Sequence, residues 1–245
     1  MYNNLILFSI FQICIFSSSW AEGFLSEEDL YSEDIEFESS VIYDPLEAYN
    51  RVVFNFNDLF FNVVIHPIAV GYTAITPDKA EIGAKNFFNN LRYPIRLVGN
   101  LLQRKFFGAW VETGRFTVNS TLGLCGVMSP SDKIESLVRV PSEDFGQALG
   151  ANGMTEGPYL VIPIFGPTNF RDLFGLFGDR ALNPFVQPWS IIDSRDWRLA
   201  YGAGRTVVNS PEISDRYLQM KGTAIDPYGA LKSAYTQYRN SAIKE

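Results

Sequence analysis

The stretch Asp44–Ile65, DPLEAYNRVVFNFNDLFFNVVI, limits what this chain can fold into more than any other. It opens with three helix-start signals: Asp44 as N-cap, Pro45 at the first helical position, and Glu47 where a capping-box acid reaches back to the cap's N–H. His66-Pro67 predicts its end, because a proline donates no N–H and pushes the preceding residue out of the α region. About 21 residues at about 1.5 Å each make a rod of about 30 Å.

Stepping by about 100° per residue, Glu47, Arg51, Asn55, Asp58 and Asn62 fall on one narrow stripe. Tyr49, Val52, Val53, Phe56, Leu59, Phe60, Val63 and Val64 cover most of the rest, and Asn50 with Asn57 makes a second, smaller polar spot. A thin hydrophilic seam in a broad aromatic coat suits a helix with lipid or protein on one side and a wet cavity on the other. The same periodicity suits the central helix of a large soluble helical domain, its seam facing water.

The chain of 245 residues, 47% hydrophobic, is long enough for one domain with a core. Residues 5–16 are almost continuously apolar, and Ser19-Trp20-Ala21 offers small residues for a cleavage site, so residues 1–21 read as a signal peptide cut after Ala21. That run is too short to span a bilayer, and no other stretch reaches about 18 uninterrupted apolar residues. Of the two cysteines, Cys14 lies inside this leader, behind an Ile13 that is too bulky for a lipid-attachment signal. Cys125 is expected as a small buried apolar residue. Residues 22–40 carry eight acids and no base, which predicts a solvated, flexible tether over 22–42; the acids and bases beyond it nearly balance. No basic patch of the kind that binds nucleic acid is present.

Beyond Ile65 the pattern predicts a short apolar connector, Pro67 to Ile75, then a helix restarted by Thr76-Pro77-Asp78 and running to about Asn90. A segment with Ile95, Val98, Leu101 and Leu102 at helical spacing follows Tyr93-Pro94, and an amphipathic helix spans Phe106 to Thr121. The Gly-punctuated loop Leu122 to Met128 is apolar enough to require burial in protein or lipid. A short helix is expected at 144–150. The three prolines in Gly157 to Pro167 argue for an extended buried segment rather than a central strand. Thr168 or Asn169 then caps a helix through Leu182, with Phe170, Leu173, Phe174, Phe177 and Ala181 on one side and Arg171, Asp172, Gly175, Gly178 and Asp179 on the other. Three more helices are expected: about Asp196 to Val208, a shorter one after Pro211, and one from Asp226-Pro227 with Tyr228, Leu231, Tyr235 and Tyr238 on one face. This succession of proline-started helices predicts an all-α fold.

Reaction chemistry is hard to find. The single histidine, His66, has no nucleophile motif beside it and reads as a helix-end residue. No nucleophile elbow, Walker lysine or dinucleotide fingerprint occurs. Asp172 and Asp179, two turns apart on a glycine-lined face, suit hydration of a channel wall or ion pairs better than acid–base work. Asn119-Ser-Thr121 matches a glycosylation sequon, a pattern that arises often by chance. The residues point to a binding or transport protein without cofactor or metal, not an enzyme.

Several segments together resemble one family: Asp44-Pro-Leu-Glu-Ala-Tyr-Asn-Arg51, Asn55-Phe-Asn57, Asn89-Asn-Leu-Arg-Tyr-Pro94, Gly166-Pro-Thr-Asn-Phe-Arg-Asp172, and Asp226-Pro-Tyr228 with Ala234-Tyr235. In that order they are similar to the MlaA (VacJ) family of outer-membrane phospholipid-transport proteins. The likeness covers roughly Tyr43 to Arg239, so residues 43–240 are expected as one helical domain, with a tail at 241–245.

The resemblance implies a ring of amphipathic helices around a central channel, embedded in the inner, periplasmic leaflet of the outer membrane. Through it, phospholipids that have strayed into the outer leaflet would pass to a periplasmic carrier of the MlaC type, beside a trimeric porin, maintaining lipid asymmetry. It further implies that Asn55-Phe56 is a gate-sensitive pair, with Arg51, Asn57 and Asp58 beside it in the channel and gate. The ridge of the channel would be the helix carrying Phe170, Arg171, Asp172, Leu173, Phe174, Phe177 and Asp179. The apolar loop at its mouth would include Leu122, Gly123, Leu124 and Gly126. One departure stands out: family members are often lipoproteins, and the lipid-attachment signal here is poor. From the residues alone the other reading is a soluble periplasmic carrier of apolar ligands.

Overall fold

A computed structural model describes residues 42–186, 191 and 193–244. The leader, the cleavage position Ala21 and nearly all of the acidic tether lie outside the described residues. The first helix, α1, spans Glu47–Phe60, with Leu46 as its cap and no side-chain capping bond. Asp44 is therefore not the N-cap that the sequence suggested. Its carboxylate turns away and accepts from the Asn50 side chain (2.8 Å), Lys232 Nζ (3.0 Å) and the Tyr228 hydroxyl.

Nor does the helix stop at His66-Pro67. A π-helical turn, Phe61–Ile65, joins α1 to α2, His66–Ile75, and the expected connector is helical throughout. The physical reason is local. Proline has no N–H to return to the preceding turn, and the wider π turn, in which the His66 N–H reaches Phe61 O, accommodates the missing donor without breaking the rod. The result is a continuous 29-residue helix, Glu47–Ile75, long and apolar enough to cross a membrane by length and composition. A rod ended at Pro67 is not of this length, so no spanning helix was expected from the sequence.

The next elements fall close to expectation: α3 (Asp78–Leu91), α4 (Tyr93–Leu102), α5 (Phe106–Thr121) and α6 (Phe145–Ala151). Asp144 caps α6 by accepting from the Gln147 N–H at 2.7 Å. The proline-rich run is extended and buried as predicted, and it also pairs: β1 (Tyr159–Ile162) and β2 (Gly166–Asn169) form a two-stranded antiparallel hairpin. Pro167 stands opposite Val161, whose N–H turns away to the Asn50 side chain, so the proline's missing donor leaves no gap in the ladder.

Helix α7 is Phe170–Leu182 and α8 is Arg195–Thr223. The second corrects another expectation, because α8 runs unbroken through Pro211. The carbonyl that Pro211 cannot serve is that of Val207, and the Ser210 hydroxyl donates to it at 2.7 Å. The last helix, α9, is Pro227–Lys244. Helices dominate the described residues, so the all-α class holds.

The described chain packs as two compact units. The first contains the chain up to Tyr72, Glu156–Phe170 and the residues from Gly202 onward; the second contains Thr73–Thr155 and Arg171–Tyr201. In the first, Val53, Phe54, Tyr159, Val161, Tyr228, Leu231 and Tyr235 form the apolar core. Phe54, Tyr159 and Tyr235 meet their ring neighbours there edge-to-face, with centroids 5.9 to 6.3 Å apart. Three of the four aromatic and aliphatic residues expected on one face of α9 are thus buried together. In the second unit, α4 packs on α5 through a buried ion pair, Arg96 Nε to Glu112 Oε2 at 2.8 Å, while Arg96 also reaches Asn89.

The distribution of polarity is unlike that of a water-soluble protein. Among the described residues, buried polar and charged side chains outnumber buried apolar ones, while Phe106, Phe107, Trp110, Val52, Leu59 and Val63 are each more than 60% exposed. A soluble domain normally keeps arginine and glutamate at the surface and aromatics inside. Here Arg96 of α4 and Glu112 and Arg115 of α5 are inside, while Phe106, Phe107 and Trp110 of α5 are outside.

Candidate functional site

The polar stripe of α1 divides into two uses. Arg51 forks onto Asp226 (Nη1 to Oδ1 3.2 Å, Nη2 to Oδ2 3.0 Å), takes Glu47 on its Nε at 2.8 Å, and stands 4.4 Å above the Tyr228 ring. The Arg51 guanidinium holds the Asp226 carboxyl below the usual carboxylate range. Asp58 accepts from Tyr217 at 2.8 Å and Lys221 at 2.5 Å. His66 Nδ1 and Ser214 Oγ share a hydrogen bond of 2.8 Å, and the Phe61 ring lies 4.3 Å from that of Tyr217. Residues 51, 58, 61 and 66 thus meet 226, 221, 217 and 214 in descending order, an antiparallel zipper between the first helical rod and the region of α8 and the start of α9. Arg51 and Asp58 hold helices together.

Asn55 and Phe56 have a different setting. Both are exposed, and Asn55 makes no side-chain hydrogen bond among the described residues. An amide with unfilled hydrogen-bonding capacity beside an open ring presents two chemistries at one place. Asn57, the next residue, faces the other way: its Nδ2 donates to Ile162 O at 3.0 Å and its Oδ1 accepts from the Ile164 N–H at 2.6 Å. Asn50 does the same two turns earlier, donating to Tyr159 O and accepting from Val161 N–H. The smaller polar spot seen in the sequence is therefore a hairpin-binding face, and its spacing was the signal available for it.

Helix α7 is two-faced, as its sequence required, and the polar face is the buried one. Arg171 and Asp172 form a buried bidentate pair at 2.9 and 3.1 Å. Asp179 accepts from the Phe145 N–H at 2.9 Å, and so supports the start of α6. Gly175 lies against Gly146 so closely that an added Cβ would sit 2.5 Å from the Gly146 Cα. On the opposite side Phe170, Phe174 and Phe177 are exposed and Leu173 is half-buried. The acids expected at a channel wall or in ion pairs are engaged in packing α7, one of them in an ion pair.

The loop after α5 is apolar and outward: Leu122, Leu124 and Met128 are exposed, while Gly123 and Gly126 are buried. Gly126, at φ +93°, abuts Asn90, and Asn90 in turn bonds Ser120. Cys125 corrects the sequence reading, since it is exposed at φ +59° on the tip of this turn. Asn119 of the sequon is buried with its Oδ1 accepting from Ser131 N–H, so it is no glycosylation acceptor in this fold. Among the described residues no cluster of histidine, cysteine or carboxylate residues converges as a metal site would.

Comparisons with known proteins bear on this geometry. Residues 42–242 match the family model described as MlaA lipoprotein. The "Intermembrane phospholipid transport system lipoprotein MlaA" of Shigella flexneri is 32% identical over 202 residues, 79% of this chain and 76% of the relative. The protein of that name from Escherichia coli strain K12 is 30% identical with the same coverage. An uncharacterised protein of Rickettsia prowazekii is 31% identical over 210 residues, 83% of this chain and 79% of the relative. A solved structure described as "Structural basis for maintenance of bacterial outer membrane lipid asymmetry" superposes with a TM-score of 0.69 at 25% identity, covering 82% of this chain and 98% of that one.

Proposed function

The chain belongs to the MlaA lipoprotein family, and on that premise we propose that it is a passive phospholipid conduit of the outer membrane, set in the periplasmic leaflet. It takes up phospholipids that have strayed into the outer leaflet and releases them to a periplasmic carrier of the MlaC type, beside a trimeric porin. The relatives' names, which specify phospholipid transport between membranes, support the substrate.

One observation carries the reading: apolar side chains face outward and paired polar ones inward. Each fully exposed Phe or Leu held in water forgoes about 1.5–3 kcal/mol of burial. Against lipid tails that cost disappears, and the buried ions are tolerable because Arg96–Glu112 and Arg171–Asp172 satisfy each other. The long helix fits the same setting, for only 17% of its most apolar window is buried in protein. Asn55 beside Phe56 offers an amide to a head group and a ring to a tail. Phe174 and Phe177, exposed on α7, offer tails an apolar surface of their own. Movement of a lipid along such surfaces keeps its tails dry, avoiding about 0.8 kcal/mol per exposed CH₂, and requires no nucleotide.

Fractionation with analysis of bound lipid tests the proposal. The chain is expected to pellet with outer membrane and to co-purify intact phospholipid. Recovery in the soluble periplasm with an apolar ligand would replace this reading with that of a carrier.

A further inference from the structure

Helix α5 and the turn after it form a limb whose outer surface is largely apolar and whose polar groups there find partners within the limb. The two charged residues of α5, Glu112 and Arg115, are both buried. Its exposed positions, Phe106, Phe107, Trp110, Thr117 and Thr121, fall within an arc of about 100°. The threonines on this side do not depend on water. Thr113 donates to Ala109 O at 2.7 Å, Thr117 to Thr113 O at 2.8 Å and Thr121 to Thr117 O at 2.7 Å, so each hydroxyl returns to its own helix.

The turn at 122–128 carries the pattern further. Leu122, Leu124 and Met128 are 73%, 65% and 58% exposed, yet the backbone beneath them is closed on itself. Cys125 N–H donates to Ser120 O at 3.2 Å, Gly126 N–H to Asn119 O at 2.9 Å and Met128 N–H to Gly123 O at 2.8 Å. This closure comes with left-handed backbone at two residues that are not glycine, Leu124 at φ +53° and Cys125 at φ +59°. A loop in water can leave its N–H groups to solvent, whereas hydrocarbon offers them nothing. The opposite end of the limb is different. Arg104 is exposed at φ +60°, two residues before Phe106, and makes no ion pair among the described residues. A cation among exposed rings complements the phosphates at the edge of a leaflet.

We propose that α5 enters the bilayer tip first, with Arg104 at the head-group phosphates and residues 122–128 near the mid-plane, among the ends of the acyl chains. From Phe106 to Thr121 the helix rises about 22 Å, and half of a hydrocarbon core is about 15 Å thick, so a tilted α5 spans that depth. The inference rests on the membrane setting proposed above and not on the movement of lipid through the protein.

Cys125 sits on the tip and is exposed, and in a C14S chain it is the sole thiol, so it can carry a fluorophore where depth must be read. The labelled full chain is placed in nanodiscs of phosphatidylcholine brominated either near the head group or near the tail end. The label at Cys125 is expected to be quenched more strongly by the tail-end bromine. A label at R104C, in the C14S/C125S background, is expected to show the reverse order. Unlabelled Cys125 in the nanodisc is expected to resist a membrane-impermeant maleimide until the protein is unfolded. Stronger head-group quenching at 125, stronger tail-end quenching at 104, or free reaction of Cys125 with the maleimide would each overturn the insertion. If the depth order holds but cells lacking the chain show unchanged surface phospholipid, the conduit reading falls and the insertion stands. If the depth order fails while surface phospholipid rises in those cells, the insertion alone falls.

Discussion

Asp44 shows how much one side chain can change its apparent role between sequence and structure. Its carboxylate is 3% exposed and collects Asn50, Lys232 and the Tyr228 hydroxyl, joining the start of the chain to α9. Burial pushes its pKa up, but the hydrogen bonds from Tyr228, Lys232 and Asn50 outweigh it and leave the carboxyl below its ordinary value of 3.8. A carboxylate depressed in the folded state contributes stability above its unfolded pKa and loses it as pH falls through the folded value. Chemical denaturation is therefore expected to show this contribution intact at pH 7 and lost progressively below about pH 4. D44N is expected to cost about 2–4 kcal/mol at pH 7, by leaving Lys232 without its anion, and to flatten that part of the acid limb. A D44N protein as stable as wild type at pH 7 would remove Asp44 from this role. The sequence suggested an N-cap because Asp-Pro with Glu at the third position is a common start; two of the partners that claimed the carboxylate, Tyr228 and Lys232, lie more than 180 residues away.

At the scale of elements, the sequence carried the helix boundaries well where the signals are local and missed them where the backbone finds a substitute. Phe106–Thr121 and the bounds of α7 were legible from periodicity and caps. Pro67 and Pro211 were misread as stops because a π turn and the Ser210 hydroxyl replace what proline withholds. Periodicity also gives two faces without saying which is buried, and that choice depends on the solvent around the protein. In α7 the glycine and acid face packs against α6, which makes Gly175 a close-approach position rather than a flexible one. Gly175→Ala must push against the Gly146 backbone and is expected to destabilise the protein by about 1–3 kcal/mol. An unchanged thermal midpoint in that variant would contradict the packing of α6 on α7. The exposed candidates Asn55 and Phe56 were found by resemblance, whereas the structural duties of Arg51, Asn57 and Asp58 needed the fold, because their partners lie on β1, α8 and α9 or just beside them.

For the molecule as a whole, the all-α class followed from the run of proline-started helices, and the family from motifs kept in order along the chain. What the sequence left open was the solvent: the first helix read equally as a soluble core helix or a membrane-associated one. Burial resolves the pattern in favour of apolar surfaces that require covering, since Phe106, Phe107 and Trp110 of α5, Phe174 and Phe177 of α7, and Val52, Phe56, Leu59 and Val63 of the first rod are each exposed. The proposed lipid conduit is the account that gives those surfaces a partner and the paired interior a reason. Its most direct test is the amount of phospholipid at the cell surface, read by an externally added phospholipase, in cells lacking this chain and in cells in which it is restored. The account predicts that surface phospholipid rises when the chain is absent and returns to its starting level on restoration. Equal surface phospholipid in the two would contradict it.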